Sequence, residues 1–425
     1  MTFETNVLTL ETFNQNLIHT MMKKAKLKIL FGMLFMLASC VEEYQVPKEA
    51  AASYESQLVI EGRILSGDES IIYLSNSVPF GQVERPEAVL NADITIIGQN
   101  GYESSKAEFD IENDRYVIPT HDLPLNTLYA LKVEVDGEIY QSEFEPIQRA
   151  KEIDELYYQE NETDITIHVS SHGYEEDSPY YIWTYEEDWE IHPEYDVSKA
   201  LDSGYWSYSK SFYPDLKMGE NNPYLNCWGH NNSGLIHIYS TANLDQNTIK
   251  SHQLLSIPLD DVKLSYLYSI SVKQMGLSKQ AYEYFELQKL YSEQSGGLFM
   301  PMPAEVKGNV QCLSNKEKKA AGYVIFSQVA QQRIFIDSDD LFQKLYFNTS
   351  CSTSMGLKSP TPDQFIEWTR IWTKEQVENG AFIWHAHEGS IFEETSMIHS
   401  RTCVDCRAYP GATQKRPDFW PNNHE

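Results

Sequence analysis

Residues 129–142 read YALKVEVDGEIYQS, and this stretch decides the fold class. On both sides of its centre, apolar and polar residues alternate with the two-residue period of a β-strand. The pair Asp136-Gly137 lies between the two runs and is typical of a tight β-hairpin turn. The stretch therefore predicts two antiparallel strands joined by a short turn.

Similar short runs precede this hairpin, at residues 58–64, 71–75, 92–97 and 116–118. Turn residues separate them, and none has a helical period. Short strands at this spacing are typical of an immunoglobulin-like β-sandwich, which we expect over residues 57–148.

The remainder of the chain, residues 149–425, is also predicted to be rich in strands. One helix is expected near residues 278–294, because Ser278 is a suitable N-cap and Gly296-Gly297 would end the helix. The other apolar runs favour strands and lie at residues 163–169, 180–186, 235–240, 264–272, 323–326 and 333–336. The predicted fold class is mainly β, with the sandwich followed by a larger β-rich domain that carries a helical insert.

The N-terminus carries an export pattern. Residues 21–40 read MMKKAKLKILFGMLFMLASC, in which lysines precede an apolar run that is too short to span a bilayer. Leu37-Ala38-Ser39-Cys40 has the pattern of a bacterial lipobox, so we expect residues 21–39 to be a signal peptide and the Cys40 thiol to be lipidated. An ordinary secretory signal is the alternative. Residues 1–20 lack signal character and are interpreted as a start-site artefact.

Residues 40–56 contain few core-forming side chains and are expected to act as a lipidated tether. Glu42 and Glu43 follow the cysteine closely. Acidic residues at this position resemble the export signal of Bacteroidota surface lipoproteins, which implies an outer-membrane anchor with the body facing the cell exterior.

The charge excludes some partners. The chain has 425 residues, 33 basic and 62 acidic side chains and a formal charge of −29. Nucleic acid is not expected as a partner, because binding it requires basic side chains that neutralise phosphates. Apolar residues make up 41% of the chain, which is too many for a disordered acidic tail.

Several segments together resemble a Bacteroidota outer-membrane lipoprotein family known only as a domain of unknown function. The resemblance covers residues 57–420. Its segments are Tyr268–Gln274, Leu277-Ser278, Ala281–Tyr284, Gly297–Phe299 with Pro301 and Pro303, Gly308–Val310, Gly322–Val324, Cys403–Arg407 and Lys415–Trp420. One departure is Pro410-Gly411-Ala412, where a Gly-Gly pair is common.

The resemblance implies a binding or accessory subunit beside a TonB-dependent transporter, an outer-membrane β-barrel, with an unknown ligand. It supplies no catalytic residues, so we expect no enzyme activity and no cofactor. Three alternatives stay open: an accessory lipoprotein of outer-membrane protein assembly, a carbohydrate-binding or carbohydrate-degrading surface protein, and a metal-dependent hydrolase.

Residues 180–228 are unusually rich in tyrosine and tryptophan, which suit protein interfaces and stacking on sugars. The alternative is that many of these rings belong to the core of alternating strands. The candidate binding surface consists of Trp189, Tyr205, Trp206, Tyr208 and Tyr213.

Five cysteines lie beyond Cys40, and an oxidising compartment favours disulfides between them. The candidates are Cys227, Cys312, Cys351, Cys403 and Cys406. We expect Cys227 to pair with Cys312, and Cys351 to pair with Cys403 or Cys406, although spacing alone does not fix connectivity.

His385 and His387 would share one face of a strand and are weak candidates for a Zn²⁺ site. No third ligand can be named from the sequence. The alternative, two surface or hydrogen-bonded histidines, is favoured, and no metal is expected.

Overall fold

The computed structural model describes residues 56–78, 86–120, 123–194, 223–294, 306–342, 382–386, 396–403 and 405–421. Within them lie twenty β-strands and one α-helix, so the predicted mainly β fold class is confirmed. The strands are β1 (Leu58–Ser66), β2 (Glu69–Asn76), β3 (Asp93–Gly98), β4 (Glu108–Asp110), β5 (Arg115–Pro119), β6 (Leu128–Val135), β7 (Glu138–Ser142), β8 (Glu145–Pro146), β9 (Glu155–Glu160), β10 (Asp164–His172), β11 (Tyr180–Ile191), β12 (Cys227–Asn232), β13 (His237–Ser240), β14 (Thr248–Pro258), β15 (Leu267–Gly276), β16 (Val310–Cys312), β17 (Ala320–Ala321), β18 (Val324–Asp337), β19 (Phe382–Ala386) and β20 (Ser396–Ser400).

The helix, α1, spans Lys279–Gln294 and agrees with the prediction of a helix near 278–294. Short 3-10 turns occupy Val262–Leu264, Ser338–Asp340, Arg401–Cys403 and Cys406–Ala408. In the described parts of the chain, no helix has the length and apolar character needed to cross a membrane.

The predicted hairpin is present as β6 and β7. The two strands are antiparallel, with Val135 opposite Glu138. Asp136 and Gly137 form the turn between them, and both have positive φ angles, of 52° and 76°. Asp-Gly suits this turn because aspartate tolerates and glycine favours the left-handed region.

The main sheet, called the long sheet below, has ten strands among the described residues. Its order is β12-β11-β15-β18-β1-β2-β5-β4, with β13 also paired to β11 and β17 also paired to β1. Strand β1 is parallel to β18, from Gly62 opposite Val324 to Ser66 opposite Gln328. The two regions predicted as separate domains, 57–148 and 149–425, therefore contribute to the same sheet.

Strand β18 contributes side chains to two hydrophobic cores. Its even-numbered residues point to one face of the sheet, because side chains alternate along a strand. Val324 and Phe326 enter the core around β1, whereas Ile336 enters the core around β11. A single continuous strand thus joins two β-sandwiches side by side.

The first sandwich packs β1, β2 and β5 against the sheet β16-β7-β6-β3. Ile60, Ile64, Ile94 and Ile96 are fully buried between these layers. Burial of each such side chain contributes about 1.5–3 kcal/mol relative to exposure in water.

The second sandwich packs β11, β15 and the end of β18 against the sheet β14-β10-β9. Trp183, Tyr268, Ile270 and Ile167 are fully buried in it. The Trp183 indole N–H donates to Gln274 Oε1 at 2.8 Å, so the buried ring retains a hydrogen bond.

Helix α1 covers part of the opposite face of the long sheet. The Ser278 hydroxyl accepts a hydrogen bond from the Ala281 N–H at 3.2 Å, as expected of an N-cap. Ala281 and Tyr284 are buried against Ile182 and Met275 of the sheet. The helix therefore closes a third, smaller core on this face.

The backbones of β1, of the residues after β17 and of the segment before β16 are in close contact, with no room for side chains at Gly308 and Gly322. A Cβ on Gly322 would lie 2.2 Å from the Ile60 carbonyl oxygen, and a Cβ on Gly308 would lie 1.8 Å from the Gly322 carbonyl oxygen. Asn309 is buried here, and its side chain bonds both the N–H and the carbonyl of Val324. The hydrogen bonds of Asn309 thus hold residues 308–310 against β18.

A partly buried histidine, His252, lies at one end of the second sandwich. The His252 ring stacks on Trp183 with 4.9 Å between centroids and lies 5.0 Å from the Tyr239 ring. Burial, together with the charges of His237, Lys289 and His168, lowers the pKa of His252 to about 4. His252 is therefore neutral in the folded protein at neutral pH.

This histidine predicts an acid-dependent loss of stability. The pKa of histidine is ordinarily 6.5, and that of His252 in the folded protein is about 4. Between these two values, His252 is protonated in the unfolded chain but neutral in the folded chain. The contribution of His252 to stability is complete above pH 6.5 and falls as the pH drops towards 4. Urea unfolding at pH 7.5 and pH 4.5 measures this loss. We expect a smaller loss in His252→Phe, which keeps a ring but does not titrate, and an unchanged loss would contradict the assignment.

Candidate functional site

A band of polar side chains crosses the face of the long sheet that is opposite its two main cores. It lies on four neighbouring strands in registered rows, because paired residues point to the same face. This polar strip consists of His230 and Asn232 on β12, Thr184, Glu186 and Asp188 on β11, Ser269, Ser271 and Lys273 on β15, and Gln331 and Arg333 on β18.

Asp188 is the electrostatic centre of the polar strip. Its carboxylate is buried, accepts from Arg333 NH1 at 3.1 Å and bonds His230 Nδ1 at 2.8 Å. Arg333 NH1 also donates to the Ser269 hydroxyl at 2.9 Å. An arginine and a histidine from different strands thus converge on one carboxylate, which fixes their positions.

The His230 ring is half exposed at the rim of the polar strip. The hydrogen bond to Asp188 raises the pKa of His230, burial opposes the rise, and the charges of Asp188 and Glu186 add to it. Because the folded pKa lies above the ordinary 6.5, the contact stabilises the fold below that value and is lost as the pH rises through the folded pKa.

A titration of His230 by NMR checks this assignment. Asp188→Asn is expected to lower the His230 pKa more than Glu186→Gln does, because Asp188 supplies the hydrogen bond whereas Glu186 acts only through its charge. Equal shifts in the two variants would show that the hydrogen bond is not the main cause.

A C-terminal strap, residues 405–421, borders the polar strip on one side. Its start is tied to β12 by the disulfide between Cys406 and Cys227, and Thr413 exchanges two backbone hydrogen bonds with Trp228, at 2.8 and 2.9 Å. Its end reaches β11, where the Trp420 indole N–H donates to Glu190 Oε1 at 2.6 Å. The strap is therefore anchored at several points along its length.

The strap also adds aromatic rings to the polar strip. The Phe419 ring lies over the Arg333 guanidinium, 3.6 Å from Cζ to the ring centroid. Trp420 contacts Phe335 of β18 edge to face, with 5.6 Å between centroids. Phe419 is 43% exposed and Phe335 is 39% exposed, so both rings are accessible to a binding partner.

Helix α1 borders the other side, where it covers the row of Ile182 and Met275. From Ile182 to Asp188 along β11 is about 20 Å, and the four strands span about 14 Å from the first axis to the last. The polar strip lies between these two borders, on central strands of the sheet. A row of polar side chains on fixed strands can bind a ligand by several hydrogen bonds.

The structure describes one residue of the predicted aromatic surface, Trp189. Trp189 is 9% exposed and belongs to the core of the second sandwich, not to a binding surface. Its indole lies against Gly229, where a Cβ would come within 2.2 Å of the ring, and beneath Lys263 Nζ at 5.1 Å. The other members, Tyr205, Trp206, Tyr208 and Tyr213, lie outside the described residues.

The disulfide in the structure differs from the expected pairing. Cys227 is bonded to Cys406, so the predicted pair of Cys227 with Cys312 is wrong, as is a bond from Cys351 to Cys406. Cys312 is a free, buried thiol. Cys403 is also disulfide-bonded, and Cys351 lies outside the described residues.

Of the other predicted site residues, the structure describes only the strand position of His385. Cys40, Glu42, Glu43 and His387 lie outside the described residues. His385 lies on β19, opposite Met397 of β20. Across the described ranges, no group of three or more His, Cys, Asp or Glu side chains is arranged to hold a metal ion.

The comparisons with known proteins identify the family. A sequence profile described as Domain of unknown function (DUF4249) matches residues 41–333. The chain belongs to the DUF4249 family. A comparison with curated proteins gave no match. The DUF4249 match ends at Arg333 and thus covers every residue of the polar strip but not the C-terminal strap.

Several residues of the segments that carried the family resemblance are structural in this chain. Gly308 and Gly322 form the close contact with β1, Asn309 holds β18, and Ser278 caps α1. Gln274 bonds the Trp183 indole in the core. These four contacts lie outside the polar strip, whereas the segment Tyr268–Gln274 also supplies Ser269, Ser271 and Lys273 to it.

Sequence reasoning missed the polar strip. One signal was present, because Thr184, Glu186 and Asp188 alternate with buried aromatic residues in β11. A polar face on a central strand predicts either a solvated groove or a buried network. Arg333 and Phe419 carried no such signal, since only the tertiary structure brings the strap onto β18.

Proposed function

We propose that the protein is an outer-membrane lipoprotein, anchored through Cys40, that faces the cell exterior and binds a ligand beside a TonB-dependent transporter. The observation that carries this proposal is the sequence Leu37-Ala38-Ser39-Cys40 followed by Glu42 and Glu43. An N-terminal lipid with two or three acyl chains anchors a protein stably without a spanning helix.

The architecture is compatible with a tethered body. Strand β1 begins at Leu58, so residues 41–57 separate the folded body from the lipid, with a maximum reach of about 60 Å. Removal of residues 1–39 takes away four lysines and two glutamates, which changes the formal charge from −29 to −31. A strongly charged body of this kind is soluble next to a membrane surface.

The polar strip supports a binding role. It combines exposed polar side chains, on His230, Asn232 and Gln331, with the exposed rings of Phe335 and Phe419, a composition suited to recognition of a ligand. The family resemblance adds the expectation of an accessory subunit of a TonB-dependent transporter. Both observations favour a binding protein.

Fractionation of cells that express the full chain tests the anchor and its orientation. We expect the wild type in the outer membrane, labelled by palmitate and digested by protease added to intact cells. Cys40→Ala should lose the label and leave the membrane, whereas Cys312→Ala, which removes another thiol, should behave like the wild type. An unlabelled wild type, or one protected from protease, would contradict the proposal.

A further inference from the structure

The polar strip differs from the rest of this acidic chain in its charge. Glu186 and Asp188 face Arg333 and Lys273, and Lys273 is also paired with Asp68 at the turn between β1 and β2. Positive and negative side chains are thus nearly balanced across the polar strip, although the whole chain carries −29. A balanced surface favours neither a polyanion nor a polycation.

The polar strip offers both acceptors and donors to a ligand. The Glu186 carboxylate makes no hydrogen bond or ion pair with the described residues, so its oxygens are open acceptors. Gln331 uses its amide N–H on the Ser271 hydroxyl at 2.7 Å, which leaves its carbonyl oxygen for a ligand. Lys273 and Arg333 have further N–H groups beyond those in their ion pairs.

The spacing of these groups is set by the sheet. Neighbouring rows are about 7 Å apart along a strand, and neighbouring strands are about 4.8 Å apart. Glu186 and Arg333 lie in one row with Ser271 between them, and Gln331 lies in the next row. The polar strip thus presents a grid of carboxylate, amide and guanidinium groups on strands that do not need to rearrange.

The rings of Phe419 and Phe335 lie at the strap side of this grid, beside Arg333. An aromatic face packs well on a flat apolar surface, and the C–H faces of a sugar ring provide one. Sugar hydroxyls both donate and accept, so they match a mixed grid of carboxylate, amide and guanidinium groups. A ligand with one type of hydrogen-bonding group would leave part of the grid unmatched.

We propose that the polar strip binds an uncharged oligosaccharide that lies across strands β12, β11, β15 and β18 with one sugar ring on Phe419. The inference rests on the proposed binding role but not on the association with a transporter. An anionic ligand would be repelled by Glu186, and a cationic ligand would be repelled by Lys273 and Arg333. A neutral polyhydroxylated chain avoids both penalties.

Calorimetric titration of the full-length lipoprotein in detergent tests this proposal. The probes are maltohexaose, cellohexaose, xylohexaose and mannohexaose, with a heparin fragment and spermine as charged comparisons. We expect saturable binding of at least one neutral oligosaccharide, and no comparable binding of the two charged probes. Absence of binding to all four neutral probes, or preferential binding of a charged probe, would overturn the proposal.

Two variants with matched controls locate the site. Glu186→Gln keeps the shape but removes the charged acceptor, and Phe419→Ala removes the stacking face, so each should weaken binding about tenfold. Glu155→Gln on β9 and Phe342→Ala change exposed residues away from the polar strip and should bind like the wild type. Near-ultraviolet circular dichroism checks that all four variants fold. Binding that is unchanged by both strip variants would overturn the proposal.

Sugar binding by the polar strip and association with a β-barrel transporter can be tested separately. Sugar binding without a β-barrel partner in detergent extracts would retain the inference and reject the transporter association. A β-barrel partner that co-purifies equally with wild type and Glu186→Gln, without sugar binding, would retain the association and reject the inference.

Discussion

Gly322→Ala is expected to destabilise the protein by about 3–5 kcal/mol, or to prevent folding. Two costs combine at this position. The φ angle of Gly322 is +94°, which alanine rarely adopts, and the new Cβ would lie 2.2 Å from the Ile60 carbonyl oxygen. Because Ile60 belongs to β1 in the middle of the long sheet, its backbone cannot move without breaking the pairing with β2. The urea midpoint of unfolding measures the loss.

Gly411→Ala is the matched control for this variant. Gly411 has a φ of +75°, but no atom of the described residues lies within 4 Å of the position that its Cβ would take. Alanine should therefore cost only the conformational part, about 1 kcal/mol. Equal losses in the two variants would show that the contact between Gly322 and β1 is not tight.

Removal of the disulfide by the double variant Cys227→Ala/Cys406→Ala is expected to lower the free energy of unfolding by about 2–5 kcal/mol. The two cysteines are 179 residues apart in sequence, so the bond closes a long loop in the unfolded chain. It also holds the start of the strap on β12. We therefore expect faster amide hydrogen exchange at residues 405–421 than in the wild type.

Cys312→Ala serves as the control, because this buried thiol is free. It should cost about 1 kcal/mol through lost packing and leave exchange in the strap unchanged. An unaltered strap in the double variant would show that Trp420 and Thr413 hold it without the disulfide.

Much of the local structure was predictable from the sequence. The alternation in residues 129–135 and 138–142 and the Asp136-Gly137 turn predicted the hairpin of β6 and β7. Ser278 and the pattern after it predicted helix α1. These features depend on neighbouring residues, and a local period reports them directly.

The joining of two sandwiches was not predictable in the same way. It depends on the parallel pairing of β1 with β18, whose residues are more than 250 positions apart. Periodicity indicates that each segment is a strand but not which strand lies next to it. For the same reason, spacing did not reveal that Cys227 pairs with Cys406.

At the candidate site, the sequence alone did not determine which side chains of β11 face the core. Trp189 and Asp188 are adjacent in one strand, and the sequence does not say which of the two faces the core. The register with β12 decides it, since Gly229 leaves room for the Trp189 ring on the core side and His230 meets Asp188 on the other side. Aromatic content alone therefore favoured the wrong face of β11.

We propose that this protein is a surface-anchored binding subunit of an outer-membrane transporter. Affinity purification of the full-length lipoprotein from detergent-solubilised outer membranes, followed by mass spectrometry, tests it most directly. We predict a TonB-dependent β-barrel in near-stoichiometric amount with the wild type, and its absence with Cys40→Ala. Recovery of the wild-type lipoprotein alone would contradict the account.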